Sequence, residues 1–129
     1  MSWDADGYAT LTALSCGLAL DVQNGGTASG TPVWAYTPNG TDSQKWSVLQ
    51  KEGGYNPADS APVELAPKLN AALRLDCVGG GKANGTGIQT YDANGTSAQE
   101  WSILDHGDGT WTLINVGSSQ ALDVVGGGN

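Results

Sequence analysis

The sequence predicts an all-β fold assembled from one small unit used three times, and three observations carry that prediction. A segment is written twice in full and once in part. The first copy runs Leu18-Ala-Leu-Asp-Val, Gly25-Gly-Thr-Ala-Ser-Gly-Thr, Val33-Trp-Ala-Tyr, Asn39-Gly-Thr and Gln44-Lys-Trp46. The second runs Leu73-Arg-Leu-Asp-Cys, Gly80-Gly-Lys-Ala-Asn-Gly-Thr, Ile88-Gln-Thr-Tyr, Asn94-Gly-Thr and Gln99-Glu-Trp101. A third begins at Ala121-Leu-Asp-Val and runs to Asn129. The interval from Asp21 to Tyr36 equals that from Asp76 to Tyr91, and the interval from Asp21 to Trp46 equals that from Asp76 to Trp101. Fixed offsets of this kind mean one structural unit reused. Twenty glycines with no phenylalanine favour short strands joined by tight turns. No amphipathic helix of useful length can be drawn anywhere along the chain.

Taken in order, each repeat opens on alternating apolar residues. Leu11, Ala13, Leu18 and Leu20 precede Asp21, and Leu113, Val116 and Leu122 precede Asp123. Leu11 and Leu113 stand at the same interval before their aspartates and are expected to face the core. Asp6-Gly7 and Asp108-Gly109 sit at matching places and read as hairpin turns. The stretch from Trp46 to Asp76 is longer than that from Trp101 to Asp123, so the second repeat carries an insertion. Its expected place is 53–67, where Asn56-Pro57, Ala61-Pro62 and Ala66-Pro67 break a ladder, giving an enlarged surface loop. The whole reads as a single domain, 1–129, with repeats of about 1–46, 47–101 and 102–129.

Composition excludes several classes. The net charge of −8 repels phosphate backbones, and Lys45, Lys51, Lys68, Arg74 and Lys82 are scattered singly. Nucleic acid is therefore not an expected partner. No run approaches the roughly 18 apolar residues of a membrane span, so membrane insertion is not expected. The N-terminus shows no charged segment leading into an apolar run, so no signal peptide is read there. An acidic, lysine-poor chain rich in Gly, Asn and Thr nonetheless suits a secreted microbial protein. Cys16 and Cys77 occupy non-equivalent repeat positions. Bridging depends on a Cα separation the sequence does not give, so a disulfide stays open, with two unpaired buried cysteines as the expectation.

Catalytic and metal sites are not expected. With His106 alone, no histidine metal cluster is possible. The repeated aspartates are related by pseudo-symmetry and should lie on separate lobes, unlike the paired carboxylates of a glycosidase. Asp105-His-Gly-Asp108-Gly109 lacks the spacing and closing Glu of a calcium loop. Gly79-Gly-Gly-Lys82 lacks the Ser/Thr and helix of a phosphate loop. Asn39-Gly-Thr, Asn84-Gly-Thr and Asn94-Gly-Thr are formal glycosylation sequons that a repeat built on Asn-Gly turns produces by itself. No cofactor is expected.

Gln44-Lys-Trp46 and Gln99-Glu-Trp101, with the Leu-Asp-Val-type strands and the Gly-Thr-x-Val-x-x-Tyr stretch between, resemble the ricin-B-type lectins and carbohydrate-binding modules. The resemblance covers nearly the whole chain. It implies a β-trefoil of twelve strands in three lobes, six forming a short barrel and six a hairpin cap. Two departures stand out. Ala19 and Arg74 occupy the place where the family often has a cysteine. The third repeat is truncated at the C-terminus, which implies a site there that is dead as written, or one completed by a partner chain.

The resemblance also assigns roles. A pyranose presents an apolar C–H face and a rim of hydroxyls, so a site needs an aromatic plate and fixed polar groups. A carboxylate accepts from two adjacent hydroxyls, while an amide both donates and accepts. In the first repeat the implied carbohydrate-binding residues are Asp21, Trp34, Tyr36, Asn39 and Gln44; in the second they are Asp76, Gln89, Tyr91, Asn94 and Gln99. Trp34 stands where many members have Gln, and Ser43 and Ala98 stand where Asn is frequent. Trp46 and Trp101 are expected to be core residues. Gln44 and Gln99 could equally be buried amides serving loop backbone, Asp21 and Asp76 could cap turns, and the tyrosines could be plain strand aromatics.

The function implied is non-catalytic binding of galactose-type or xylan-type sugars. Partners would be galactose-containing glycans or plant polysaccharide, with the chain either free-standing or an accessory domain of a larger glycoside hydrolase or toxin. The competing reading is a protein-interaction trefoil, an inhibitor or receptor-binding factor acting through the 53–67 loop.

Overall fold

A computed structural model of the chain describes residues 2–13, 16–50, 62–81, 86–105 and 111–122. Ten strands appear there: β1 Ser2–Trp3, β2 Ala9–Thr10, β3 Ala19–Val22, β4 Thr31–Tyr36, β5 Trp46–Gln50, β6 Val63–Pro67, β7 Leu73–Cys77, β8 Ile88–Asp92, β9 Trp101–Asp105 and β10 Trp111–Asn115. Among the described residues there is no α-helix, only four single 3₁₀ turns at 23–25, 42–44, 78–80 and 97–99. These turns recur at matching places in the first two repeats and were not foreseen from the sequence.

Strands β1-β2-β5-β6-β9-β10 form one antiparallel sheet, and β3-β4-β8-β7 form a second. The hairpins β5–β6 and β9–β10 stay in register through Trp46↔Pro67 and Trp101↔Asn115. The sheet curls round one core, because Ala9 and Leu11 from one end and Leu113 from the other join Trp46, Val63, Leu65 and Trp101 in a single cluster. Leu11 and Leu113 are buried, as their spacing predicts. Hairpins β3–β4 and β7–β8 are joined through Thr31↔Thr90 and Pro32↔Gln89. Asp6-Gly7 turns between β1 and β2, with Gly7 at φ +86°, while Asp108-Gly109 lies outside the described residues.

The insertion is placed differently from the expectation. Residues 51–61 lie outside the described part, but Val63–Pro67 is a strand, paired with β5 from Gln50↔Val63 to Trp46↔Pro67. Of the three prolines that suggested a broken ladder, Pro62 sits at its flank and Pro67 at its last position, where a missing N–H is tolerated. Leu65 is the third member of the core set with Leu11 and Leu113, fully buried. It stands one place further from Asp76 than those two stand from their aspartates, because the turn after β6 is longer by a single residue. The rest of the insertion lies between β5 and β6, whose connection is more than twice as long as that between β9 and β10.

The third repeat opens as the first does. Leu20 N–H donates to Leu11 O and Leu122 N–H to Leu113 O, both at 2.8 Å, and Ala13 N–H to Leu18 O recurs as Asn115 N–H to Gln120 O. Asp123 lies outside the described residues.

Where the resemblance leads one to look for cysteines, Ala19 is buried in the interior. Arg74 instead ties two strands, donating from Nε to Glu64 Oε1 at 3.0 Å and from Nη1 to the Ala71 and Leu73 carbonyls. Cys16 and Cys77 are both free thiols. Cys77 is buried at the place Val22 holds in the first repeat; Cys16 is only half-buried, correcting the expectation, because it lies in a turn rather than a strand.

Candidate functional site

Each of the first two repeats builds the same frame around its aspartate. The Gln-x-Trp segment sits at a 3₁₀ turn entering a barrel strand, so residues two apart both point inward. Trp46 and Trp101 fill the core, and their Nε1–H groups donate to Leu20 O at 3.2 Å and Leu75 O at 3.1 Å. Gln44 and Gln99 are buried beneath the hairpins. Gln44 Nε2 donates to Asp21 Oδ2 at 2.8 Å and to Thr37 O at 2.9 Å, and its Oε1 accepts from Asn39 N–H at 2.9 Å. Gln99 makes the same three bonds to Asp76 Oδ2, Asp92 O and Asn94 N–H at 2.8, 2.8 and 3.0 Å. Both amides are engaged at donor and acceptor within the chain, which fixes each carboxylate and the loop after each tyrosine.

The Asn-Gly-Thr loops are equally alike. Oδ1 of Asn39 accepts from Thr41 N–H and Oγ1 at 3.1 and 2.7 Å, and Oδ1 of Asn94 accepts from Thr96 in the same way and at the same distances. These are Asx turns, in which the side chain folds its own loop. At the other end of each hairpin, Asn24 and Gly79 take left-handed backbone, φ +55° and +61°. The glycines two places on, Gly26 and Gly81, are packed under a threonine. A Cβ there would come within 2.6 Å of Thr31 and 2.7 Å of Thr86.

Asp21 and Asp76 are each 4% exposed, and each shares its sheet with a well-exposed tyrosine of the partner strand. In the second repeat Asp76, Gln89, Tyr91 and Asn94 line one open cleft of about 590 Å³, with Val78, Gly79, Gly80, the 96–98 segment and Gly117 as its other walls. Gln89 is the cross-strand partner of Asp76 and hydrogen-bonds its carboxylate. Burial lifts the Asp76 carboxyl above the usual aspartate range, while the bonds from Gln99 and Gln89 pull the other way. In the first repeat the same register puts Trp34 opposite Asp21. Its Nε1–H donates to Asp21 Oδ1 at 3.0 Å, and its ring stacks on Tyr36. Ser43 is engaged within its own loop, its Oγ 2.8 Å from Thr41 Oγ1.

Three contributors were missed from sequence. Val78, 46% exposed, supplies an apolar wall to the cleft; its first-repeat equivalent is polar Gln23, so the repeat gave no hint. Gly117 comes from the third repeat's turn and closes the second repeat's cleft. Asn115 is buried, donating from Nδ2 to Ala98 O at 2.9 Å and accepting from Ser118 N–H at 3.1 Å, which clamps that turn onto the cleft wall. No cluster of three or more His, Cys, Asp or Glu able to hold a metal ion exists among the described residues.

A carboxylate, an amide and an exposed aromatic ring line one open cleft, an arrangement with hydrogen-bonding groups beside an apolar plate. The chain belongs to the family of ricin-type β-trefoil lectin domain-like proteins, whose profile it matches over residues 1–58 and 68–129. Membership implies carbohydrate binding. Its fold is similar to that of a designed three-fold symmetric protein, ThreeFoil, at 30% identity with a TM-score of 0.83, over 93% of this chain and 80% of that one. It is also similar to part of 1,3Gal43A, an exo-β-1,3-galactanase from Clostridium thermocellum, at 25% identity and a TM-score of 0.78. There the match takes 93% of this chain but only 24% of the enzyme. The Rhizoctonia solani agglutinin shares the fold at 22% identity and a TM-score of 0.74, over 98% of this chain and 80% of the agglutinin. No curated protein sequence matches the chain.

Proposed function

We propose that the chain is a non-catalytic carbohydrate-binding module, secreted, that takes galactose-type or xylan-type sugars at repeat-encoded surface sites. The observation that carries this reading is the second-repeat cleft, where the Asp76 carboxylate, the Gln89 amide and the Tyr91 ring converge while Gln99 holds Asp76 from below. The carboxylate accepts from adjacent hydroxyls, Gln89 reads their orientation, and Tyr91 takes the C–H face. Asn94 stands on the rim. Asp21, Trp34, Tyr36, Asn39 and Gln44 hold the corresponding positions of the first repeat. In both repeats the buried glutamine is a positioning residue. A shallow, wet site on one sugar unit makes few buried contacts, so its affinity is expected at about 0.1–1 mM. Avidity on a polymer raises the effective affinity.

Similarity to a segment of a galactanase supports a place beside a larger glycoside hydrolase. The protein-interaction reading rested on the 53–67 loop, and its last five residues are strand β6. A glycan array with wild type, Asp21→Ala, Asp76→Ala and the double variant tests the proposal. Binding that falls or is lost with Asp76→Ala, and is absent in the double variant, supports it. Binding indifferent to both aspartates overturns it.

A further inference from the structure

The first two repeats place matching strands around a position that differs sharply, Trp34 against Gln89. Each is the direct cross-strand partner of its aspartate, so each shares a sheet face with it. The tyrosine two places further along the strand lies on that face too. A pyranose entering such a site would lay its C–H face on the tyrosine ring and point a hydroxyl at the carboxylate.

Trp34 already does both. Its indole stacks on Tyr36 with centroids 5.3 Å apart and planes 16° from parallel. Its Nε1–H donates to Asp21 Oδ1 at 3.0 Å, while Gln44 occupies Oδ2. An indole is a flat apolar plate with one donor on its edge, which is the pattern a sugar offers to this pair of groups. Tyr36 is 47% exposed and Tyr91 43%, so the repeats do not differ in how far the tyrosine protrudes. They differ in what lies on its ring. Gln89 can hydrogen-bond its aspartate but has no ring to lay on Tyr91.

We infer that Trp34 is a resident occupant of the first-repeat site, holding the place of a sugar. The second-repeat cleft is then the working site. The first is latent, and opens only when the indole leaves Tyr36 and releases Asp21 Oδ1. This inference rests on the carbohydrate-binding reading of the second repeat. It also makes Trp34 the residue that sets the valency of the domain.

The test is NMR titration of the ¹⁵N-labelled full chain with galactose and with xylobiose. In wild type, the Gln89, Tyr91 and Asn94 amides should shift saturably while those of Tyr36 and Asn39 stay in place. Trp34→Gln gives the first repeat the residue the second carries, and should bring Tyr36 and Asn39 into the response, raising the stoichiometry from one to two. Trp34→Ala serves as the second variant, with spectral dispersion reporting folding. The indole N–H gives a check that needs no ligand, since a proton held on Asp21 exchanges slowly with water. Fast exchange of that proton overturns the inference. So does a wild-type response at Tyr36 and Asn39 at the same sugar concentrations as at Tyr91, which would make Trp34 part of an open stacking platform. Folded Trp34 variants that still respond only in the second repeat overturn it as well. Silence in both repeats of every protein is a different pattern: it removes the carbohydrate reading itself, and this inference with it.

Discussion

Gln99 donates from Nε2 to Asp76 Oδ2 at 2.8 Å, with both side chains buried, and Gln44 makes the same contact to Asp21 at the same distance. The glutamine of each Gln-x-Trp signature thus lies beneath the carboxylate, while the tryptophan two places on anchors the same segment in the core. Site and fold share one short stretch of chain.

Replacing Gln99 by Leu should therefore damage both. It leaves the Asp76 carboxylate, the Asp92 carbonyl and the Asn94 N–H without the partner they have now. Of the three only Asp76 is buried, and an orphaned buried polar group costs roughly 1–3 kcal/mol, so a loss of about that size is expected in urea unfolding. Sugar binding at the second repeat should be lost in the fraction that stays folded.

Trp101→Ala acts on the fold alone. The side chain is buried in the core, so its truncation should cost about 3–5 kcal/mol by chemical denaturation. That is a large part of the roughly 5–15 kcal/mol that holds a domain folded.

Asp76 gives a pH signature. Its folded carboxyl titrates above the ordinary aspartate value of 3.8, chiefly through burial. The folded state therefore holds this proton more tightly than the unfolded one. Its contribution favours folding below 3.8 and is lost as pH rises through the raised value. Ligand binding has the opposite sign, because the ionised form accepts hydroxyls. Affinity at the second repeat should fall on acidification with a midpoint above 3.8, and Asp76→Asn should flatten that profile.

Gly117 can be tested as a wall. A Cβ there would lie 2.9 Å from Ser97 Oγ and 3.2 Å from the Ser97 carbonyl carbon. Gly117→Val should cost about 1–3 kcal/mol through overpacking and weaken binding in the second-repeat cleft, read by thermal melts and titration.

Cys77 should behave as a core apolar residue. Burial, with the Asp76 charge beside it, raises its thiol pKa, so it should resist alkylation until the chain unfolds. Since Val22 fills the equivalent place, Cys77→Val should cost less than about 1.5 kcal/mol.

Much of this was legible in the residues. Repetition at a fixed offset named Asp21 and Asp76, the tyrosines and the Gln-x-Trp pairs, because a unit that folds twice must keep the same contacts twice. Leu11 and Leu113 could be placed in the core by counting back from the aspartates. Leu65 could not, because a lengthened turn after it breaks the count and two prolines masked its strand.

What the sequence determined by itself was the unit: its length, most of its strands, and which side chains recur in it. Those are set by contacts within a single repeat, where spacing is a faithful guide. Only the tertiary structure decided how side chains meet within each unit and how the units meet one another. It set Gly117 and Asn115 of the third repeat against the second repeat's cleft, put each glutamine under its carboxylate, and laid Trp34 on Tyr36 with its N–H on Asp21. These relationships depend on strand register and on how side chains pack across strands, within a repeat as well as between repeats. Two repeats with nearly the same letters can therefore differ in what lies on the tyrosine: an indole on Tyr36, and no ring from Gln89 on Tyr91.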